Sequence, residues 1–111
     1  MIIASRILKL QASTGTIPVL VNIFLPHQDD DDGWICAYEI HWPDKPWNSA
    51  AGGMDSMQAL LCAMQKIGLE LYFSDSYKAG KLNWNSDWSG FGLPVPQNAR
   101  DILIGEDAKF L

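Results

Sequence analysis

Two stretches of alternation constrain most of what this chain can become. Ile17, Val19, Val21, Ile23 and Leu25 share one side of an extended chain, with Leu20, Asn22 and Phe24 on the other. After a polar loop, His27 to Gly33, the pattern returns. Trp34, Cys36, Tyr38, Ile40 and Trp42 fall on one side, and Ile35, Ala37, Glu39 and His41 on the other. Period-two alternation rich in β-branched and aromatic residues marks a half-buried strand. Two such runs across one short loop read as an antiparallel hairpin of residues 17–25 and 34–42. Pro18 and Pro26 sit near the run ends, where a missing N–H is tolerated.

The flanking segments extend this hairpin. Residues 2–10 read as a strand with Ile2, Leu8 and Leu10 on one face and Ile3 and Ile7 on the other, though the alternation is imperfect. Ser13-Thr14-Gly15-Thr16 and Pro43-Asp44-Lys45-Pro46 are turn clusters. Residues 47–53 form a weaker fourth strand ending in Gly52-Gly53, where a bulge or a close backbone approach to the next element is expected. Asp55-Ser56-Met57-Gln58 then opens a helix through a variant of the capping box. Met57, Leu60, Leu61, Met64, Ile67 and Leu71 follow at helical spacing and predict its buried stripe. Gly68 is expected to let the helix lie close on the sheet, and the helix to end near Phe73 or Ser74.

Beyond Asp75 the periodicity dissolves. Gly80, Gly90, Gly92, Pro94 and Pro96 interrupt regular structure, yet Tyr77, Trp84, Trp88 and Phe91 lie in the same stretch. A linker is poor in aromatics, so this segment reads as an ordered wrap, with a short strand near Lys81–Trp84. Residues 99–104 are read as one helical turn and Glu106 to Leu111 as a frayed tail. The fold class that results is α+β: an antiparallel meander of about four strands packed on one amphipathic helix, with an irregular, aromatic-rich C-terminal segment. One domain spans residues 1–111, a length that buries roughly 65% of the unfolded surface and supports its own core.

Composition narrows the function classes. The net charge is −5, and the eight Lys and Arg are scattered from Arg6 to Lys109 without a cluster. Nucleic-acid binders track phosphates with a basic stripe, which this chain lacks, and the same acidity disfavours an anionic membrane surface. Arg6 and Lys9 interrupt the apolar N-terminal run, which therefore fails as a signal peptide. No stretch reaches the length of a membrane span. Cys36 on a strand and Cys62 on the helix read as free, buried thiols in a cytoplasmic protein.

Four pieces in order carry a resemblance: Tyr38-Glu39-Ile40-His41-Trp42-Pro43, Gly53-Met54-Asp55-Ser56-Met57-Gln58-Ala59-Leu60, Tyr77-Lys78-Ala79-Gly80-Lys81-Leu82 and Gly92-Leu93-Pro94-Val95-Pro96. On these the chain resembles a family of small uncharacterised bacterial proteins with a domain of unknown function. The resemblance implies a bacterial, cytosolic origin and no activity. By architecture alone, strands followed by one helix are also similar to antitoxins of toxin–antitoxin pairs and to small immunity proteins; no residue motif carries that likeness.

The chemistry-bearing residues are few. Gln28, Asp30, Asp32, Gly33 and Glu39 nearly match a calcium-binding EF-hand loop, but Gln28 replaces the first Asp, and Pro43 and Pro46 stop any helix after Glu39. A looser cation site at Asp30 and Asp32 is the metal reading; a solvated hairpin tip of like charges is the plainer one. His27 and His41 fall at opposite ends of the hairpin, too far apart for a shared metal. Cys36 and Cys62 lie among apolar neighbours and read as inert. No cofactor motif and no catalytic set is legible. Five Trp in 111 residues is high. Trp34 and Trp42 fit the core face, whereas Trp84 and Trp88 are the candidate protein-contact residues, because Trp anchors interfaces. An acidic, aromatic surface suits a basic partner. The leading expectation is a non-catalytic protein-interaction module, with antitoxin-like and immunity-like roles as its specific versions. A small-ligand or cation binder is the alternative, and a small enzyme without a legible motif comes third. One helix covers one face of a four-stranded sheet, so Leu20 and Phe24 require cover from the C-terminal segment or from a second subunit in a homodimer.

Overall fold

The computed structural model describes all residues from Met1 to Leu111. Four long strands form the meander: β1 (Ile2–Ala12), β2 (Gly15–Phe24), β4 (Trp34–His41) and β5 (Pro46–Gly53). Between them β3 (His27–Gln28) continues the line of β2 after Leu25 and Pro26, pairing with Trp34 and Ile35. A two-residue strand, β6 (Leu82–Asn83), adds to the free edge of β1. Every pairing is antiparallel. The hairpin tip is a turn closed by Asp29 N–H to Gly33 O at 2.7 Å and Asp32 N–H to Asp29 O at 3.2 Å. Asp32 takes a left-handed φ of 63° there, a conformation that Asp tolerates better than most side chains.

Register decides the two faces. Leu8 pairs with Val19, Arg6 with Val21 and Val21 with Ile40, so these residues share the core face with Ile23, Cys36 and Tyr38. Ser5 pairs with Asn22, Ile7 with Leu20 and Asn22 with Glu39, which sets them on the outer face. A register shift between Ile2 and Ala4 brings Ile2 opposite Phe24 and so carries it to the outer side. This corrects its expected place beside Leu8.

Helix α1 (Ser56–Tyr72) covers β4 and β5 on the core face. Asp55 is its N-cap and accepts from Gln58 N–H at 2.8 Å, while the Gln58 side chain accepts from Met54 N–H at 2.6 Å. The capping box thus closes one residue earlier than its usual form. The buried stripe differs from the expected one. Ala59, Ala63, Ile67, Gly68, Leu71 and Tyr72 are buried, whereas Met57 is 79% exposed and Leu61 48% exposed. Small residues win because the helix begins hard against the end of β5. A Cβ on Gly53 would collide with the backbone of Ala59. Gly68 also serves a different neighbour from the expected one: a Cβ there would meet the carbonyl of Pro94, in the C-terminal segment and not in the sheet.

That segment comprises α2 (Asp75–Lys78), β6, a 3₁₀ turn at Gln97–Ile102 and α3 (Gly105–Phe110). It lies beside α1 on the same face of the sheet, contributing Phe91, Leu93, Val95 and Leu103 to the core. The expected frayed tail is instead a docked helix whose Asp107 is fully buried. No element covers the outer face, and Leu20 and Phe24 remain half-buried there. No helix is long and apolar enough to cross a membrane.

Candidate functional site

A concavity of about 880 Å³ lies where the sheet ends and α1 terminates. Its residues come from separate parts of the chain. Leu10, Ile17 and Trp42 form the end of the core face left uncovered by the helix. The turn from Pro43 to Trp47 makes one wall, because pairing of Ile40 with Trp47 and of His41 with Pro46 brings Trp42 and Trp47 to the same end of the hairpin. Leu69, Glu70 and Phe73 of the last turn of α1, with Ser74 to Ser76, make the other wall.

The electrostatics of this cleft favour a cation. Asp44, Glu70 and Asp75 line it, and Lys45 is its one basic residue. The C-terminal end of a helix carries partial negative charge, and the last turn of α1 has no basic side chain to offset it. Trp42, Trp47 and Phe73 add ring faces, whose quadrupoles attract ammonium and guanidinium groups. Trp47 and Phe73 are exposed, at 43% and 58%. Beside this cleft Tyr38 is buried with a hydroxyl that has no hydrogen-bond partner. Burial is the main reason its pKa lies above the ordinary tyrosine range, and the Glu70 charge pushes the same way.

Trp84 and Trp88, the contact residues expected from sequence, are both half-buried and bonded within the fold. Their rings meet edge to face at 6.1 Å. The Arg6 guanidinium stacks over Trp84 at 4.0 Å while donating to the carbonyls of Phe91 and Gly92 at 2.8 and 3.0 Å. Trp88 donates its indole N–H to Asp107 at 2.6 Å. The two rings help line a smaller hollow of about 400 Å³ with Lys9, Asn83 and Ile104.

Asp107 is the hub of this region. Its carboxylate accepts from Tyr72 Oη at 2.5 Å, from Trp88 Nε1, and from the backbone N–H groups of Phe91 and Gly92 at 2.8 Å each. Four donors on a buried carboxylate satisfy its acceptor capacity. Burial raises the Tyr72 pKa far above the ordinary range, and its hydrogen bond to Asp107 adds to that shift. Arg6 is held below its usual value by burial, with the Asp107 charge opposing that effect.

The other sequence candidates stand apart. Asp30 and Asp32 are exposed at the hairpin tip, and the Asp29 side chain accepts from Asp30 N–H. No group of three or more His, Cys, Asp or Glu side chains is disposed to hold a metal. His27 pairs with Ile35 near the tip, and His41 with Pro46 at the far end of β4. Cys36 is buried, and burial pushes its thiol up. Cys62 is half-buried, not buried as expected.

Sequence reasoning missed the cleft. Trp42 reads as a core residue and Trp47 as part of a weak strand. One signal points to them: two Trp flanking a Pro-Asp-Lys-Pro turn must lie near each other. Nothing local in the sequence brings Glu70 and Phe73 to that turn.

No curated protein and no solved structure matches the chain. One family model matches residues 4–95, from β1 through α1 to Pro94 and Val95, which pack on Gly68. That span includes every residue lining the cleft and leaves Asp107 outside it. The chain therefore belongs to the family described as Domain of unknown function (DUF6968).

Proposed function

We propose that this chain is a non-catalytic protein-interaction module whose cleft at the end of α1 receives a Lys or Arg side chain of a basic partner. The observation that carries the reading is the meeting of Trp42, Trp47 and Phe73 with Glu70, Asp75 and Asp44 at the negative end of a 17-residue helix. Aromatic walls supply apolar contact and cation–π attraction, and the carboxylates select the sign of charge. The net charge of −5 steers a basic partner toward the chain. An antitoxin- or immunity-like role in a bacterial cytosol is one specific form of this reading, resting on resemblance alone. The reading moves the contact surface from Trp84 and Trp88 to the cleft, because those two rings are already engaged by Arg6 and Asp107.

Titration calorimetry tests it with three probes: a Lys/Arg-rich peptide, a Glu-rich peptide of equal length, and arginine amide as a small cation. The expected result is binding of the basic peptide, weakened by salt, absent for the acidic one and reduced in Trp47→Ala. Equal binding of both peptides, or of neither, overturns the proposal. The cleft volume also falls within the range of small-molecule sites. Arginine amide binding as tightly as the peptide would assign the cleft to a small cationic ligand.

A further inference from the structure

We propose that the uncovered outer face of the sheet is where two copies of this chain pack against each other, sheet on sheet. This inference is independent of the cleft, which opens at the end of the opposite face.

The face is apolar where it is most open. Ile7 on β1 is 60% exposed and Ile2 48%, and they lie opposite Leu20 and Phe24 of β2. Between these apolar rows runs a hydrogen-bonded polar stripe across three strands. Ser5 Oγ donates to Asn22 Oδ1 at 2.6 Å, Asn22 Nδ2 donates to Glu39 Oε1 at 2.9 Å, and His41 Nε2 lies 2.9 Å from the same oxygen. Asn22 is only 4% exposed although nothing covers its face. Ser5, Asn22 and Glu39 are thus already partnered in the single chain, Glu39 through its Oε1 oxygen.

Several observations select a second copy as the occupant. The elements after β5 pack against the core face, so no described segment of this chain is free to cover the outer one. The face is nearly neutral: Lys9 and Glu39 are its charged residues, against −5 for the chain. The acidic tip at Asp29 to Asp32 and the acidic cleft lie outside this face, at opposite ends of the strands. The four long strands span a flat footprint of roughly 500 Å², from strand spacing and rise, which side-chain relief raises toward the ~800 Å² per partner of a stable dimer. The face is also self-complementary. A two-fold axis along β2 sets Leu20 over Leu20, Phe24 over Phe24, and the polar Ser5 of each copy over the polar Glu39 of the other. Aligned sheets in this arrangement form a sandwich with a closed, isologous interface.

Sedimentation equilibrium of the full chain from low to high micromolar concentration tests the proposal, with Ile7→Glu and Met57→Glu measured alongside. Ile7 and Met57 are both exposed in the monomer, so circular dichroism is expected to show all three chains folded. The expected result is a wild-type dimer, an Ile7→Glu chain that self-associates at least about 30-fold more weakly, and a Met57→Glu chain that dimerises like wild type. A monomeric wild type overturns the proposal, as does a dimer that withstands Ile7→Glu or dissociates with Met57→Glu.

Discussion

Gly90 lies directly against the buried carboxylate of Asp107, so close that a Cβ on Gly90 would fall on the carboxyl group. Gly90 and Gly92 both take positive φ, at 101° and 67°, and this turn aims the N–H groups of Phe91 and Gly92 at the two carboxylate oxygens. Asp107→Asn puts an NH₂ where two donors point, leaving buried groups unpaired. The expected cost is about 2–4 kcal/mol in urea unfolding. Gly90→Ala combines strain with collision and is expected to cost at least about 2 kcal/mol. Wild-type stability in the Asp107→Asn chain would show that the donors find other partners.

Arg6 is the cation that the core face admits, and its planar guanidinium, stacked on Trp84, explains why. One guanidinium bonds two adjacent carbonyls and stacks on Trp84 at once. Lys keeps the charge but loses the planar stacking surface. Arg6→Lys is expected to lower stability by about 1–2 kcal/mol and to change the tryptophan emission, measured in the same denaturation curve. An unchanged curve would mean that charge alone suffices at this position.

Glu70→Gln removes a carboxylate from the cleft without removing packing volume. Binding of the basic peptide is expected to weaken by roughly 3- to 10-fold with stability within about 0.5 kcal/mol of wild type. Its salt dependence should flatten in parallel. Lost affinity without a flatter salt response would point to shape and not charge.

Hydrogen bonds from Asn22 and then His41 hold the Glu39 pKa below its ordinary 4.5. A depressed carboxylate contributes stability that is present above the unfolded-state pKa and lost as pH falls through the folded-state value. Unfolding curves at neutral pH and at successive steps below pH 4.5 should therefore show wild type losing more stability than Glu39→Gln. The difference is expected to stay under about 1 kcal/mol, because the pair is partly open to solvent. An equal acid response in both chains would separate Glu39 from the pH dependence.

The parts of this fold legible in the sequence are those written in local period. Alternation in residues 17–25 and 34–42 marks β2 and β4, and Asp55 with Gln58 marks the start of α1, because each signal is contained within a few residues. The face of α1 is harder to read. Met57 and Leu61 outweigh Ala59 and Ala63 on any hydropathy scale, yet close approach at Gly53 rewards the smaller side chains. Asp107 carries no local signal. Its burial depends on Tyr72, Trp88 and two glycine turns many residues away. The cleft is illegible for the same reason: Trp42, Trp47 and Phe73 meet only after the sheet and helix have docked.

The Asp107 hub also has a consequence for how the chain is made. Synthesis delivers β1 before α3, and the Arg6–Phe91 and Tyr72–Asp107 bonds span 85 and 35 residues. Until residue 107 has emerged, the donors on Tyr72, Trp88, Phe91 and Gly92 lack the carboxylate that accepts from all four in the folded chain. A nascent chain paused before α3 therefore presents its sheet and helix without their seal, the state in which a chaperone or a protease would find it.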